Sequence, residues 1–354
     1  PDDEEFATRR AAGEALTSPE LAVLLAYAKI ALLAELNETT LAADPWFEAT
    51  LVDYFPPAMR EQFTQSISAH PLRSQIINTV VTNRLLNVGG ITFVFRAIEE
   101  TGATAEQVVR AALTAMEVFG IDAMWEGVNG LDNQIPTSAQ SALQLETRRL
   151  LDRATRWFLQ TRTGDIDIAE QVAYFAPVIS QHSGGVSTML QGNEAARYER
   201  LTKRFLEAGA PDELARRSAS SLDVFTLLDI TDICAMTGED SATVIPLYFT
   251  LSDRYDMDRT LLRITALPRG DRWSALARQA LRTDLYQAIA SLTSTVIEST
   301  DPSAPPAERI QRWEGANAEG VARARGTLEE INAVEVPDLA TLSVVLRVLR
   351  NLLS

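Results

Sequence analysis

The sequence predicts an all-α protein, an irregular multi-helix bundle without a fixed-period repeat. Three observations carry that prediction. Apolar residues recur at helical spacing over long segments, and these segments are separated by junctions that pair a glycine or proline with a helix-starting residue. Strand evidence is thin: Ile91-Thr92-Phe93-Val94-Phe95 and Thr243-Val244-Ile245 have strand propensity, yet Ile91, Phe95 and Ile98 also obey the i, i+4, i+7 rule, so a helix is preferred there. Strands and helices do not alternate as a parallel sheet would require.

The elements follow in order. Thr17-Ser18-Pro19 signals a helix start, because the hydroxyls can accept backbone N–H bonds and proline is tolerated where no intrahelical donor is needed. The segment Leu21 to Ala34 is apolar at nearly every helical angle and carries Lys29, so it is expected to be a central buried helix too short to span a membrane. Asp44-Pro45 opens a short helix, Pro56-Pro57 separates it from the next, and His70-Pro71 opens a longer one broken at Gly89-Gly90. Junctions at Gly102-Ala103-Thr104, Gly209-Ala210-Pro211 and Gly238-Glu239-Asp240 are helix stops and restarts, and their unequal separation argues against a solenoid. Ser138 to Thr161 is a long amphipathic helix with Leu143, Leu150, Ala154, Trp157 and Phe158 near one side, and Arg272 to Glu298 is another. Asp301 to Pro306 is the clearest linker, and Asp338 to Leu353 is a last leucine-rich helix. The chain is thus read as a main helical body over 1–300, with a candidate subdivision near 130–137, a Pro-rich linker over 301–308 and a helical segment over 309–354.

Composition removes several function classes. The chain has 354 residues, 46% apolar and 23% charged, which is ordinary for a folded globular protein. Its formal charge of −16 lacks the cationic field that nucleic acid or an anionic membrane would require, so neither is expected as a partner. A single cysteine, Cys234, allows no internal disulfide and suits a reducing, cytoplasmic setting. His70 and His182 lie far apart without ligands at metal spacing, which excludes a structural zinc site. The basic residues are almost all arginine, with only Lys29 and Lys203 available as amine nucleophiles. Pro1-Asp2-Asp3-Glu4-Glu5 is neither a signal nor a transit sequence, and the chain reads as an excised piece of something longer.

Motifs for chemistry are mostly missing. There is no dinucleotide-binding G-x-G-x-x-G after a strand, no P-loop and no G-x-S-x-G elbow. His182-Ser183-Gly184-Gly185 gathers a base and a hydroxyl, but adjacent residues rarely face one another, and a helix C-cap is the preferred reading. Asp229 and Asp232, with Asp223 and Asp240 nearby, could place two carboxylates on one helix face, inviting a magnesium-dependent diphosphate enzyme as an alternative. Arg149, Arg153 and Arg156 form a stripe at i, i+4, i+7, with Arg148 and Arg162 nearby. It is read as a solvent or interface face, the alternative being a regulatory module that holds an anion. Lys29 in its apolar setting could be a depressed amine, but snorkelling or pairing with a carboxylate is preferred. Trp46, Trp125, Trp157, Trp273 and Trp313 are read as packing residues, and Cys234 as an inert core thiol.

Several stretches together resemble a known family. These are Leu16-Thr17-Ser18-Pro19-Glu20-Leu21 through Lys29; Tyr54-Phe55-Pro56-Pro57 followed by His70-Pro71-Leu72-Arg73; and Thr82-Asn83-Arg84-Leu85-Leu86-Asn87-Val88-Gly89-Gly90-Ile91-Thr92-Phe93, continuing into Glu99-Glu100-Thr101-Gly102-Ala103. In this order they resemble the C-terminal helical region of the bacterial large-subunit, NAD-specific glutamate dehydrogenases. The resemblance is closest from Leu16 to about Glu126 and looser beyond, where it rests on segments such as Arg156-Trp157. It implies a parent enzyme that oxidatively deaminates L-glutamate to 2-oxoglutarate and ammonia with NAD, the catalytic module lying upstream. The lysines and aspartate of that chemistry match no motif here, so no catalytic, cofactor-binding or metal position is transferred. The resulting expectation is a non-catalytic accessory region, inactive alone and binding no cofactor itself. Its expected partners are the catalytic module of the same chain and other subunits of a homo-oligomer.

Overall fold

A computed structural model describes residues 3–162, 164–268 and 271–352. Pro1, Asp2 and Leu353 therefore lie outside the described residues. The fold is all-α, an irregular bundle with no strand among the described residues. Two compact units are distinguished: one comprises residues 1–113 and 158–169, the other residues 114–157 and 170–354.

In the first unit, the helix Ser18–Asn37 starts where the sequence predicts. The Thr17 backbone N–H donates to the Glu20 carboxylate at 2.6 Å, which satisfies an otherwise orphaned donor. This helix packs against Arg73–Gly89, but only Ala28, Leu32 and Leu36 are buried. Tyr27 is 67% exposed and Ile30 63%, with Leu21, Val23 and Leu24 also exposed. The expected central buried helix is thus a half-buried one. An apolar pattern on every side sets no single inward face, and packing against Arg73–Gly89 covers only one of them. The Gly89-Gly90 break has a packing cause as well: a Cβ on Gly89 would meet the Phe93 ring at 2.6 Å. As preferred from the sequence, Phe93 to Phe95 are helical, in the helix Phe93–Thr101, with Ile91 and Thr92 in the turn before it.

In the second unit, one core cluster gathers Val128, Leu131, Ile135, Leu143, Phe205 and Ala215. The predicted face of the helix Thr137–Thr161 holds there: Leu143, Leu150, Ala154 and Trp157 are all buried. The helix Arg272–Glu298 has the predicted bounds, and Thr243 to Ile245 lie within the helix Ser241–Arg254. Gly102, Gly209 and Gly238 take positive φ as helix-stopping residues should. Gly184 and Gly185 do not, and a short 3₁₀ turn Val186–Thr188 follows them instead.

After the Pro-rich stretch, the helix Pro306–Ala316 is secured by Arg309, whose side chain is fully buried. Its guanidinium donates to Glu239 at 2.8 Å, to the Ile297 carbonyl at 2.8 Å and to the Thr300 hydroxyl at 2.9 Å. The last helix runs Leu339–Asn351, with Asp338 as its N-cap acceptor.

Candidate functional site

A buried cluster of titratable groups lies inside the second unit, and the sequence reading named only one of its members. Arg197, on the helix Gly192–Glu207, donates to Asp223 at 2.6 Å and to Asp258 at 3.2 Å. Glu194, one turn earlier, accepts from the Ser252 hydroxyl at 2.7 Å. Three carboxyls therefore surround a single guanidinium, and all four groups are buried. Tyr248 and Tyr286 help close the space between them, about 30 Å³, which has room for one water molecule.

Such a cluster cannot hold three full negative charges around one positive charge in a poorly solvated interior. Burial, reinforced by Asp223 and Asp258, pushes the Glu194 carboxyl up to about 8. Burial also raises Asp223 to about 6, although the Arg197 contact opposes it. Arg197 is raised despite its burial, because Asp223 and Asp258 hold its charge. Around neutral pH Glu194 is thus mainly a neutral acid.

The consequence for stability has a definite sign. A carboxyl whose folded value exceeds its unfolded one stabilises fully below the unfolded value, and loses that contribution as pH rises through the folded value. The protein should therefore weaken between the ordinary glutamate range near 4.5 and about 8. Glu194→Gln imitates the neutral acid, so it should be more stable than the parent at pH 8 by on the order of 1–3 kcal/mol and much flatter across that window. Urea denaturation at intervals of pH measures this, and parallel curves for the two proteins would refute it.

The residues singled out from sequence are mostly committed to packing. Asp229 accepts from the buried Trp157 indole N–H at 2.7 Å, whereas Asp232, on the same helix, is only half-buried. Among the described residues no group of three or more histidine, cysteine or carboxylate side chains is arranged to hold a metal ion. The arginine stripe does not act as one face. Arg149 is exposed and pairs with Glu146, Arg153 donates to the Tyr286 hydroxyl at 2.8 Å, and Arg156 is buried and pairs with Asp152 at 2.6 Å. The solvent-face reading is therefore corrected for Arg156. Lys29 donates to Asn87 at 2.9 Å rather than to a carboxylate. His182 meets Ser241, not Ser183, at 2.8 Å, and the Ser241 hydroxyl also lies 3.2 Å from Asp240, its neighbour at the helix start. Cys234 is raised to about 11, chiefly by burial, which leaves it a poor nucleophile at neutral pH. Trp157 and Trp313 are core residues, but Trp273 is 75% exposed, which corrects its assignment to packing. Trp125 is half-buried, with the Arg148 guanidinium 5.2 Å from its ring centre.

Sequence reading missed Arg197, Glu194 and Asp258 because isolated charges on amphipathic helices normally face water. The available signal was Asp223 between Leu222 and Val224-Phe225, a charge inside an apolar run.

Residues 13–351 match the family model described as glutamate dehydrogenase, C-terminal. The chain belongs to that family. It is 38% identical over 352 residues to the NAD-specific glutamate dehydrogenase of Mycobacterium tuberculosis, covering 99% of this chain and 22% of that protein. It is 34% identical to the enzyme of the same name from Pseudomonas aeruginosa, with the same coverage. The Halomonas elongata protein, also named NAD-specific glutamate dehydrogenase, is 30% identical over 333 residues. The chain thus spans about a fifth of the length of these curated relatives. The match extends through nearly the whole chain, well past Glu126, so the family relation covers the second unit too.

Proposed function

We propose that this chain is the non-catalytic C-terminal helical region of a cytoplasmic NAD-specific glutamate dehydrogenase that oxidatively deaminates L-glutamate to 2-oxoglutarate and ammonia. Its role is to pack against the catalytic module of the same polypeptide and to support a homo-oligomer, with NAD held by that module. The observation that carries this reading is the exposed apolar side of the helix Ser18–Asn37, where Val23, Tyr27 and Ile30 lie at i, i+4, i+7. Exposed apolar side chains in a row mark a surface made to be covered. No helix among the described residues is long and apolar enough to cross a membrane, so a bilayer-spanning role does not explain this face. Family membership supplies the enzyme.

The whole enzyme carrying Val23→Ser, Tyr27→Ser and Ile30→Ser together should assemble at least about tenfold more weakly, since each replacement removes apolar burial from the contact. The same changes should leave the melting temperature of this chain alone nearly unaffected, because these residues are already exposed. Sedimentation and glutamate-dependent NADH formation read the first effect. Normal assembly of the triple variant, or NADH formation by this chain alone, overturns the reading.

A further inference from the structure

A second space in the same unit has a different character. It is a cleft of about 590 Å³, within the size range of small-molecule sites, and it opens to solvent. Arg217, on the helix Asp212–Ala219, lines it. One guanidinium nitrogen of Arg217 donates to the Phe119 carbonyl at 2.9 Å and to the Gly120 carbonyl at 3.0 Å. The seat is tight: Gly120 has φ +58°, and a Cβ there would stand 2.8 Å from that nitrogen.

Those two carbonyls occupy a single nitrogen, and among the described residues Arg217 has no carboxylate within ion-pair distance. Its neighbour differs: Arg216 makes two contacts with Asp212, at 2.9 and 3.0 Å. Burial pushes the Arg217 pKa down, with Glu213 opposing from longer range. A half-buried guanidinium without a partner charge is unfavourable unless something else supplies the anion.

The remaining walls indicate which anion. Ser180, Ser183 and Ser187 offer hydroxyls, while Phe119, Met124, Ile179 and Val224 offer apolar surface. Asp212, Glu213, Arg216 and Arg217 sum to zero formal charge, so a polyanion would bring uncompensated charge into the cleft, whereas a monoanion meets the guanidinium of Arg217, which among the described residues has no carboxylate at ion-pair distance. We propose that this cleft binds a small monocarboxylate with an apolar body, its carboxylate on Arg217 and its body against Phe119, Met124, Ile179 and Val224. The site stands independently of the packing role proposed above. A helix-capping role alone would account for the two carbonyl contacts, but not for a cleft with hydroxyls and an apolar wall beside the same side chain.

Calorimetric titration of the protein with isovalerate tests the site, with isoamylamine and inorganic phosphate as controls. Isovalerate should bind saturably at one site, the amine should give no saturable heat, and phosphate should bind at least about tenfold more weakly. Arg217→Met should weaken isovalerate by at least about tenfold, the loss of one charge-assisted contact. If that variant fails to fold, Ser183→Asp places a repelling charge on a partly exposed side chain of the cleft and should cause a similar loss. Absence of saturable isovalerate binding, equal binding of the amine or of phosphate, or affinity unchanged in a folded Arg217→Met or Ser183→Asp variant overturns the proposal.

Discussion

Arg197→Met is expected to be the most damaging single substitution in the second unit, and its cost is expected to depend on pH. The side chain is nearly isosteric in length, so the main loss is charge. Among the described residues Arg197 is the one cation in direct contact with Asp223 and Asp258, and it lies beside Glu194, all in the interior. Removing one partner of a buried pair leaves an uncompensated charge and costs about 3–5 kcal/mol. At pH 8 that cost should appear in full, since Asp223 would then be forced either to ionise without a counter-charge or to bind a proton against a low proton concentration. At pH 5 much of it should disappear, because Glu194, raised to about 8, and Asp223, raised to about 6, are already largely neutral there. Chemical denaturation of parent and variant at both pH values gives the difference directly. An equal loss at pH 5 and pH 8 would mean that Arg197 contributes packing rather than charge.

The second large effect is expected at Arg309. Arg309→Met should destabilise by about 2–4 kcal/mol, because three hydrogen bonds from a fully buried guanidinium are lost and the Ile297 carbonyl is left without its donor. Glu239 softens the loss, since its side chain is 18% exposed and can recover hydration. The damage should also be local. Arg309 joins the helix Pro306–Ala316 to the end of Arg272–Glu298, so hydrogen exchange should accelerate in 306–316 while residues 143–157 of the helix Thr137–Thr161 stay protected. Uniform acceleration across both helices would contradict this assignment.

Legibility in the sequence divides along a physical line. Helix junctions were readable because their causes are local: an N-cap oxygen, a proline at a first turn, or a glycine at positive φ acts within a few residues. The bounds of Arg272–Glu298 and the inward face of Thr137–Thr161 follow from the same short-range rules. Burial of charged side chains was not readable. Arg153, Arg156 and Arg197 look alike as arginines on amphipathic helices, yet each has a different partner contributed by a different part of the chain or by its own helix. The Arg217 cleft was equally hidden, because its seat at Gly120 and its serine hydroxyls come from segments far apart in sequence.

By itself, then, the sequence determined that this is a helical protein, where its helices begin and stop, and to which family it is related. Those follow from backbone hydrogen-bond needs, apolar periodicity and ordered motifs, all of which are linear properties of the chain. Only the tertiary structure decided that the helix Ser18–Asn37 leaves an apolar side uncovered, that Glu194 sits among carboxyls as a neutral acid, and that Arg217 lines a cleft with no carboxylate at ion-pair distance among the described residues. Solvation and Coulombic energy depend on distances across the fold, and those distances exist only once the helices have packed.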